Sequence, residues 1–240
     1  MAARVPIHNP AELKRFRSAL LRWFGRNQRA LPWRENRDPY RVWVSEIMLQ
    51  QTRVAAVLGH YRDFLERFPD VRALARARLS TVLAAWSGLG YYRRARSLHA
   101  GARKIVGELV GRLPTNSDEW RRLPGIGRYT AAAIASIAFN EPVAVLDGNV
   151  DRILRRVSGR RSLAQKEAWS MAQQLLSPQR PGHFNQAIME LGALVCLPAR
   201  PLCSSCPVAR WCATRGSLGF SAKERRYQKT IAYALAEENG

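Results

Sequence analysis

Apolar residues recur along most of the chain at three- and four-residue spacing, the period of a helix with one buried face. Leu13, Phe16, Leu20 and Trp23 form one such stripe; Tyr92, Ala95, Leu98, Ala102, Ile105 and Leu109 form another, each with Arg or other polar residues opposite. The punctuation agrees. Asp38-Pro39 reads as a cap followed by a first-turn proline, Ser80 as the start of a helix closed by Gly88 and Gly90, and Ser117-Asp118-Glu119 as the start of a short helix ending before Pro124. Connections are short and no fixed-period repeat is present, so the pattern predicts an all-α fold. The end of the chain breaks it. Thr230 to Ala236 reads as a strand running into Asn239-Gly240, a hairpin-turn dipeptide with no return strand. The expectation is a chain that stops just inside a further domain, the other reading being a frayed terminal segment.

Composition adds a partner class. The 240 residues carry 39 Lys+Arg against 18 Asp+Glu, a net charge of +21, with 47% apolar residues to build a core. Arg supplies 34 of the basic residues and Lys only 5, a bias that base composition of the genome alone can produce. The excess still exceeds what solubility requires, and a field of that sign favours polyanions, nucleic acid first. The longest apolar run, Ala131 to Phe139, is too short for a membrane span, and no secretory signal is visible at the N-terminus. The reading is a cytoplasmic, nucleoid-associated protein with no membrane partner.

The candidate chemistry lies in three places. Cys196, Cys203, Cys206 and Cys212 are spaced C-x6-C-x2-C-x5-C within 17 residues. In a reducing compartment four clustered thiolates point to one metal centre; zinc and a [4Fe-4S] cluster both suit them, and the spacing decides neither. The pinned loop between the first two cysteines would present Arg200, with Arg210 behind it, as a phosphate contact. Leu123-Pro124-Gly125-Ile126-Gly127 is a tight glycine turn between two helices, the second running from Arg128 to Phe139. Backbone amides at Gly125 and Gly127 and the positive end of that helix suit one phosphate, and the turn resembles the helix-hairpin-helix element, which implies a DNA backbone contact. A plain turn between packed helices is the simpler reading.

Two carboxylates stand apart from the solvated ones. Glu46 has Val42, Trp43 and Leu49 as helical neighbours, so it projects among apolar side chains, where burial favours the protonated form that a general acid needs. A Glu paired with a buried Arg is the alternative. Asp147, in Leu146-Asp147-Gly148-Asn149-Val150, sits at a helix N-cap whose amides favour the ionised form, although a cap needs no further role. An acid and an anion in opposed environments suit the cleavage of a glycosidic bond.

Leu31-Pro32-Trp33-Arg34, Asp38-Pro39-Tyr40, Ser45-Glu46-Ile47-Met48-Leu49-Gln50-Gln51-Thr52, Gly88-Leu89-Gly90-Tyr91-Tyr92, the glycine turn, Leu146 to Val150 and the cysteine loop occur in that order. Together they resemble the adenine DNA glycosylases of the MutY type, within the helix-hairpin-helix glycosylase superfamily, over about residues 12 to 217. The resemblance implies two lobes: a six-helix barrel at 36–140, and an iron-sulfur lobe from 1–35 and 141–217, with 218–240 as linker and first strand of a Nudix-like domain. It tips the metal choice to a [4Fe-4S] cluster on the four cysteines, adds a monovalent cation at the hairpin, and implies a monomer acting on double-stranded DNA with A:8-oxoguanine or A:G mispairs.

By the same resemblance Glu46 protonates the extruded adenine, Asp147 stabilises the sugar cation, and Asn149 and Tyr129 support them. Arg34 and Gln186 lie near the base, and Gln51 and Tyr91 wedge into the duplex. Gln51, five positions from Glu46, is placed on another face of the same helix. Strand-cleaving endonuclease III relatives place a lysine nucleophile where this chain has Tyr129, so a monofunctional enzyme of base excision repair is implied. With little of the lesion-reading domain in the sequence, weak discrimination of 8-oxoguanine from guanine is expected. Two rivals remain: a thymine or uracil mismatch glycosylase of the same fold, and a non-catalytic iron-sulfur DNA-binding protein.

Overall fold

The structure, a computed structural model, describes residue 7 and residues 9–215; the anticipated strand at 230–236 lies outside the described residues. Among the described residues there are eleven α-helices and no strand. They are α1 (Pro10–Asn27), α2 (Pro39–Leu49), α3 (Val54–Arg67), α4 (Val71–Arg76), α5 (Leu79–Ala85), α6 (Arg93–Glu108), α7 (Ser117–Trp120), α8 (Arg128–Phe139), α9 (Gly148–Ser158), α10 (Gln165–Leu175) and α11 (Pro181–Leu194). None of the helices is long and apolar enough to cross a membrane.

Side-chain caps start several of them by satisfying the free amides of the first turn. Asp38 accepts from the Arg41 N–H at 3.0 Å, Asn9 from Glu12 at 2.8 Å, and Asp147 from Val150 at 2.7 Å. Of two further expected starts, one holds and one moves by one position. Helix α7 begins at Ser117 as expected, capped by Asn116 through the Glu119 N–H at 2.9 Å. Leu79 opens α5 with Arg78 at the cap position and no side-chain cap, so Ser80 lies inside the helix. Left-handed residues stop the helices that frame the site: Asn140 (φ 56°) ends α8 and Gly159 (φ 72°) ends α9.

The two apolar stripes are rotated slightly from their expected positions. In α1 the buried face is Phe16, Leu20 and Phe24, with Trp23 only partly covered. In α6 Ala95, Leu98, Ala102 and Ile105 are buried while the end positions Tyr92 and Leu109 are exposed, because they sit just outside the helix. Helix α2 is different in kind: every residue from Val42 to Met48 is buried, Ser45 and Glu46 included. Such a helix must be covered on all sides. Helices α3, α6 and α8 pack against it, and Trp43 meets Trp120 of α7 with ring centroids 5.4 Å apart.

Helix α8 also packs on α11, which in turn contacts α1 and α9. The α8–α11 approach is close because α11 begins Pro181-Gly182: a Cβ on Gly182 would meet the Ser136 carbonyl oxygen and lie 2.8 Å from Ile137 Cα, both backbone atoms. Gly182→Ala is therefore expected to destabilise the protein by about 1–3 kcal/mol, lowering Tm by roughly 3–10 °C for a chain of this size. Gly107→Ala in α6, where nothing lies within 4 Å, is expected to leave Tm unchanged or raise it; paired thermal melts check both.

Candidate active site

A cavity of about 270 Å³ opens where α2, α8, α11 and the N-terminus of α9 converge on the segment before α2. Glu46, Tyr129, Asp147, Asn149, Arg34 and Gln186 all line it. These are six of the eight residues expected at the catalytic pair, its supports, the base pocket and the wedge. Val42 and Leu49, one turn either side of Glu46, line it too and keep the surroundings of the carboxyl apolar.

Glu46 is 7% exposed and forms no ion pair among the described residues, so the pairing with a buried Arg is not found. Burial is the largest influence on it and lifts its pKa to about 7, the nearby Asp147 adding to the rise while a hydrogen bond with Tyr129 and the charge of Arg34 oppose it. The Tyr129 phenol is in turn pushed well up by burial and by both carboxylates, so it stays a neutral donor. Its hydroxyl lies 3.2 Å from Met189 Sδ.

Asp147 corrects the expectation from its cap. Its Oδ1 accepts from the Val150 N–H at 2.7 Å and its Oδ2 from Asn149 Nδ2 at 3.2 Å. Yet its pKa is raised, because burial outweighs these bonds and the charge of Arg152. What the cap and Arg152 do is limit the rise. Arg152 also donates to Asn149 Oδ1 and the Gly192 carbonyl, both at 2.8 Å, which fixes the orientation of Asn149.

Glu190 of α11 is a cavity residue that the sequence reading missed. It is 1% exposed and accepts from Arg29 Nη2 at 2.7 Å and Arg34 Nη2 at 3.0 Å. Arg29 also donates to it through its main-chain N–H and Nε. This double guanidinium clamp holds the Glu190 carboxyl down at about 2 in spite of its burial. The ion partners are 156 and 161 residues apart, beyond any local pattern. One signal was available: Met189-Glu190-Leu191 is a lone acid in an apolar helix, the same signal that marked Glu46.

The expected wedge residues lie outside this cavity. Gln51 and Tyr91 line a separate groove of about 560 Å³ together with Gly125. Gln51 is not on another face of α2, since the helix ends at Leu49 and Gln51 sits in the following turn with φ 57°. Gly125 has φ 74°, and a Cβ there would lie 2.6 Å from Ser97 Cβ, so this turn requires glycine. Gly127 occupies the N-cap of α8 and is exposed, as is Arg200.

The four cysteines form no disulfide and line one small cavity with Arg156. Arg156 Nη1 lies 3.2 Å from Cys196 Sγ and donates to the Leu197 carbonyl at 2.6 Å. Among the described residues no three or more His, Cys, Asp or Glu side chains converge closely enough to hold a single metal ion.

The Glu46 environment carries a stability consequence. The carboxyl titrates near 4.5 when unfolded and near 7 when folded, so its contribution is intact at low pH and is lost as pH rises through 7. The shift corresponds to on the order of 3 kcal/mol. Glu46→Gln, which cannot ionise, is expected to be more stable than the unchanged protein at pH 8.5 and no more stable at pH 5, as read by urea denaturation at each pH.

Residues 44–178 match the profile of the HhH-GPD superfamily base excision DNA repair protein. The chain is 49% identical over 219 residues to the adenine DNA glycosylase of Homo sapiens, covering 85% of this chain and 40% of that protein. It thus spans well under half of that relative's length. A thermostable thymine-DNA glycosylase structure superposes with TM-score 0.80 at 29% identity, covering 86% of this chain and 97% of the other. A non-covalent endonuclease III–DNA complex superposes with TM-score 0.72 at 21% identity, over 85% and 97%, and speaks to the fold alone. With more than half of its residues inside the family profile, this chain belongs to the HhH-GPD superfamily of base excision DNA repair proteins.

Proposed function

We propose that this chain is a monofunctional DNA N-glycosylase that releases adenine mispaired with 8-oxoguanine or guanine from double-stranded DNA and leaves an abasic site. The observation that carries the reading is one cavity holding a carboxyl with a pKa near 7 and a second, capped carboxyl, with a tyrosine rather than an amine beside them. In this reading Glu46 gives its proton to a ring nitrogen of the extruded adenine. The bond between the sugar carbon and the base breaks, and its electron pair leaves with the adenine. Asp147, ionised and held by the Val150 amide and Asn149, stabilises the cationic sugar. Water then adds to that carbon and its proton returns to Glu46. Tyr129 cannot form a Schiff base, so no strand break accompanies base release.

The cysteine site supports a [4Fe-4S] cluster held by Cys196, Cys203, Cys206 and Cys212. The four cysteines line one small cavity, as a shared metal centre requires, and the resemblance in motif order selects a [4Fe-4S] cluster over zinc there. When bound, the cluster would be a structural tie for the loop that carries Arg200. Cys206→Ser is expected to lose bound iron and the visible absorption of an iron-sulfur centre; stoichiometric zinc with no such absorption in the unchanged protein would overturn the assignment.

The similarity to a thymine-DNA glycosylase structure gives the second reading its weight. Duplexes bearing A opposite 8-oxoguanine, A opposite G, T opposite G and U opposite G, incubated with the protein and then treated with alkali, separate the two. Breakage is expected in the adenine duplexes and only after alkali. Breakage confined to the thymine or uracil duplexes would select the second reading, and none at all a binding protein. The rate of adenine release is expected to fall as pH rises through about 7, where Glu46 loses its proton. Glu46→Gln is expected to bind DNA and release no base.

A further inference from the structure

Two of the five non-glycine residues with left-handed backbone among the described residues are Gln51 (φ 57°) and Tyr91 (φ 47°). Neither is a residue type that adopts this region cheaply, and each costs of order 1–3 kcal/mol unless its surroundings impose the conformation. They are far apart in sequence yet line the same groove. Both point outward: Gln51 is exposed, and Tyr91 is 59% exposed although it follows the buried Leu89.

One side chain joins the two turns. Arg94, in the first turn of α6 and 9% exposed, sends its guanidinium between them. Nη1 donates to the carbonyls of Ile47 at 3.1 Å and Met48 at 2.8 Å and also to that of Gln50, the residue before Gln51. Nη2 donates to Thr52 Oγ1 at 3.0 Å, the residue after Gln51, and to the carbonyls of Leu89 at 3.1 Å and Gly90 at 3.3 Å, the two before Tyr91. The guanidinium carbon also lies 5.3 Å from the centre of the Tyr91 ring and 5.5 Å from that of Trp86. No carboxylate forms an ion pair with Arg94 among the described residues; main-chain carbonyls, including the free ones at the C-terminal end of α2, take its charge instead.

The arrangement has a use if, as proposed above, a base must leave the duplex for the Glu46 cavity. Extrusion costs a few kcal/mol of lost stacking and pairing, and side chains already fixed at the gap recover more of it than mobile ones. We infer that Arg94 is a positioning residue that locks the Gln51 and Tyr91 turns into a single rigid wedge and so lowers the cost of extruding the target base. The inference rests on the base-release reading and adds to it a residue that touches neither base nor sugar.

The test compares two duplexes under single-turnover conditions with the full chain. In one the target adenine lies opposite guanine; in the other it lies opposite a tetrahydrofuran abasic analogue, where no pairing has to be broken. Arg94→Met is expected to slow adenine release roughly 30-fold or more on the first and about threefold or less on the second, since the lost step is extrusion. Arg94→Lys, which keeps the charge with fewer donors, is expected to show the same asymmetry at smaller size and serves if the Met variant does not fold. The pH profile of release from the abasic-analogue duplex should keep its fall near 7 in both variants. Equal slowing on the two duplexes would make Arg94 a general packing residue, and no slowing on either would remove it from the process; each result overturns the inference. No base release by the unchanged protein from any duplex would overturn the base-release reading, and this inference with it.

Discussion

The site depends on an acid buried without a counter-charge. Glu46 lies in a helix whose central residues are all buried, and its pKa near 7 comes chiefly from loss of water. That environment requires the cover of α3, α6 and α8 over α2, and it requires that the guanidinium whose charge reaches it be occupied elsewhere. Arg34 shares the cavity with Glu46 but is committed to Glu190 by two bonds, at 3.1 and 3.0 Å. Were Arg34 paired with Glu46 instead, the carboxyl would be driven down into the ordinary range and lose the proton that acid catalysis needs. The clamp on Glu190 is thus part of the electrostatic design of Glu46, although it makes no direct bond to it.

The same economy governs the other buried arginines. A net charge of +21 suggests a surface coated with cations, but Arg94, Arg152 and Arg156 are each 9% exposed or less. Arg152 and Arg156 reach the cysteine loop, at the Cys196 carbonyl and at the Leu197 and Pro198 carbonyls. Arg94 spans two turns. Each uses the planar fork of the guanidinium to gather several carbonyls that no helix or sheet ladder satisfies, a task for which lysine, with a single ammonium point, is poorly shaped. Part of the arginine excess that the composition presents as a field for polyanions therefore works as internal fastening.

How much of this was legible in the sequence follows the range of the interactions. Local chemistry was readable: the Asp38 and Asp147 caps, the bounds of α8, the glycine demanded at Gly125, and the apolar setting of Glu46 all arise within a few residues. The resemblance in motif order placed Arg34 and Gln186, on distant segments, at one cavity, and there the structure puts them. Arg94 and Glu190 were not readable. Arg94 falls on what the α6 stripe marks as its polar side, where an arginine looks like any solvated one, and four of its partners lie 42 to 47 positions away, at the end of α2 and in the turn after it. The one-position shift at Ser80 has a local cause: α5 begins at Leu79 with no side-chain cap, so no capping residue marks its start.

Asp147 shows why a correct local assignment can still mislead about chemistry. The cap is present with the expected partner, and a cap in water would hold the carboxylate down. Its effect depends on the surroundings, and here the capped end of α9 lines the Glu46 cavity, so the lost hydration exceeds what the Val150 amide and Asn149 return. The two carboxylates are therefore not an acid in oil facing an anion in water. Both are lifted by burial, and they differ in what opposes it: two main-chain amides, the Asn149 side chain and the field of Arg152 at Asp147, against a tyrosine hydroxyl and the field of Arg34 at Glu46. Burial lifts both, Glu46 being the more deeply covered of the two, and donors to the ionised form, more numerous at Asp147, oppose it.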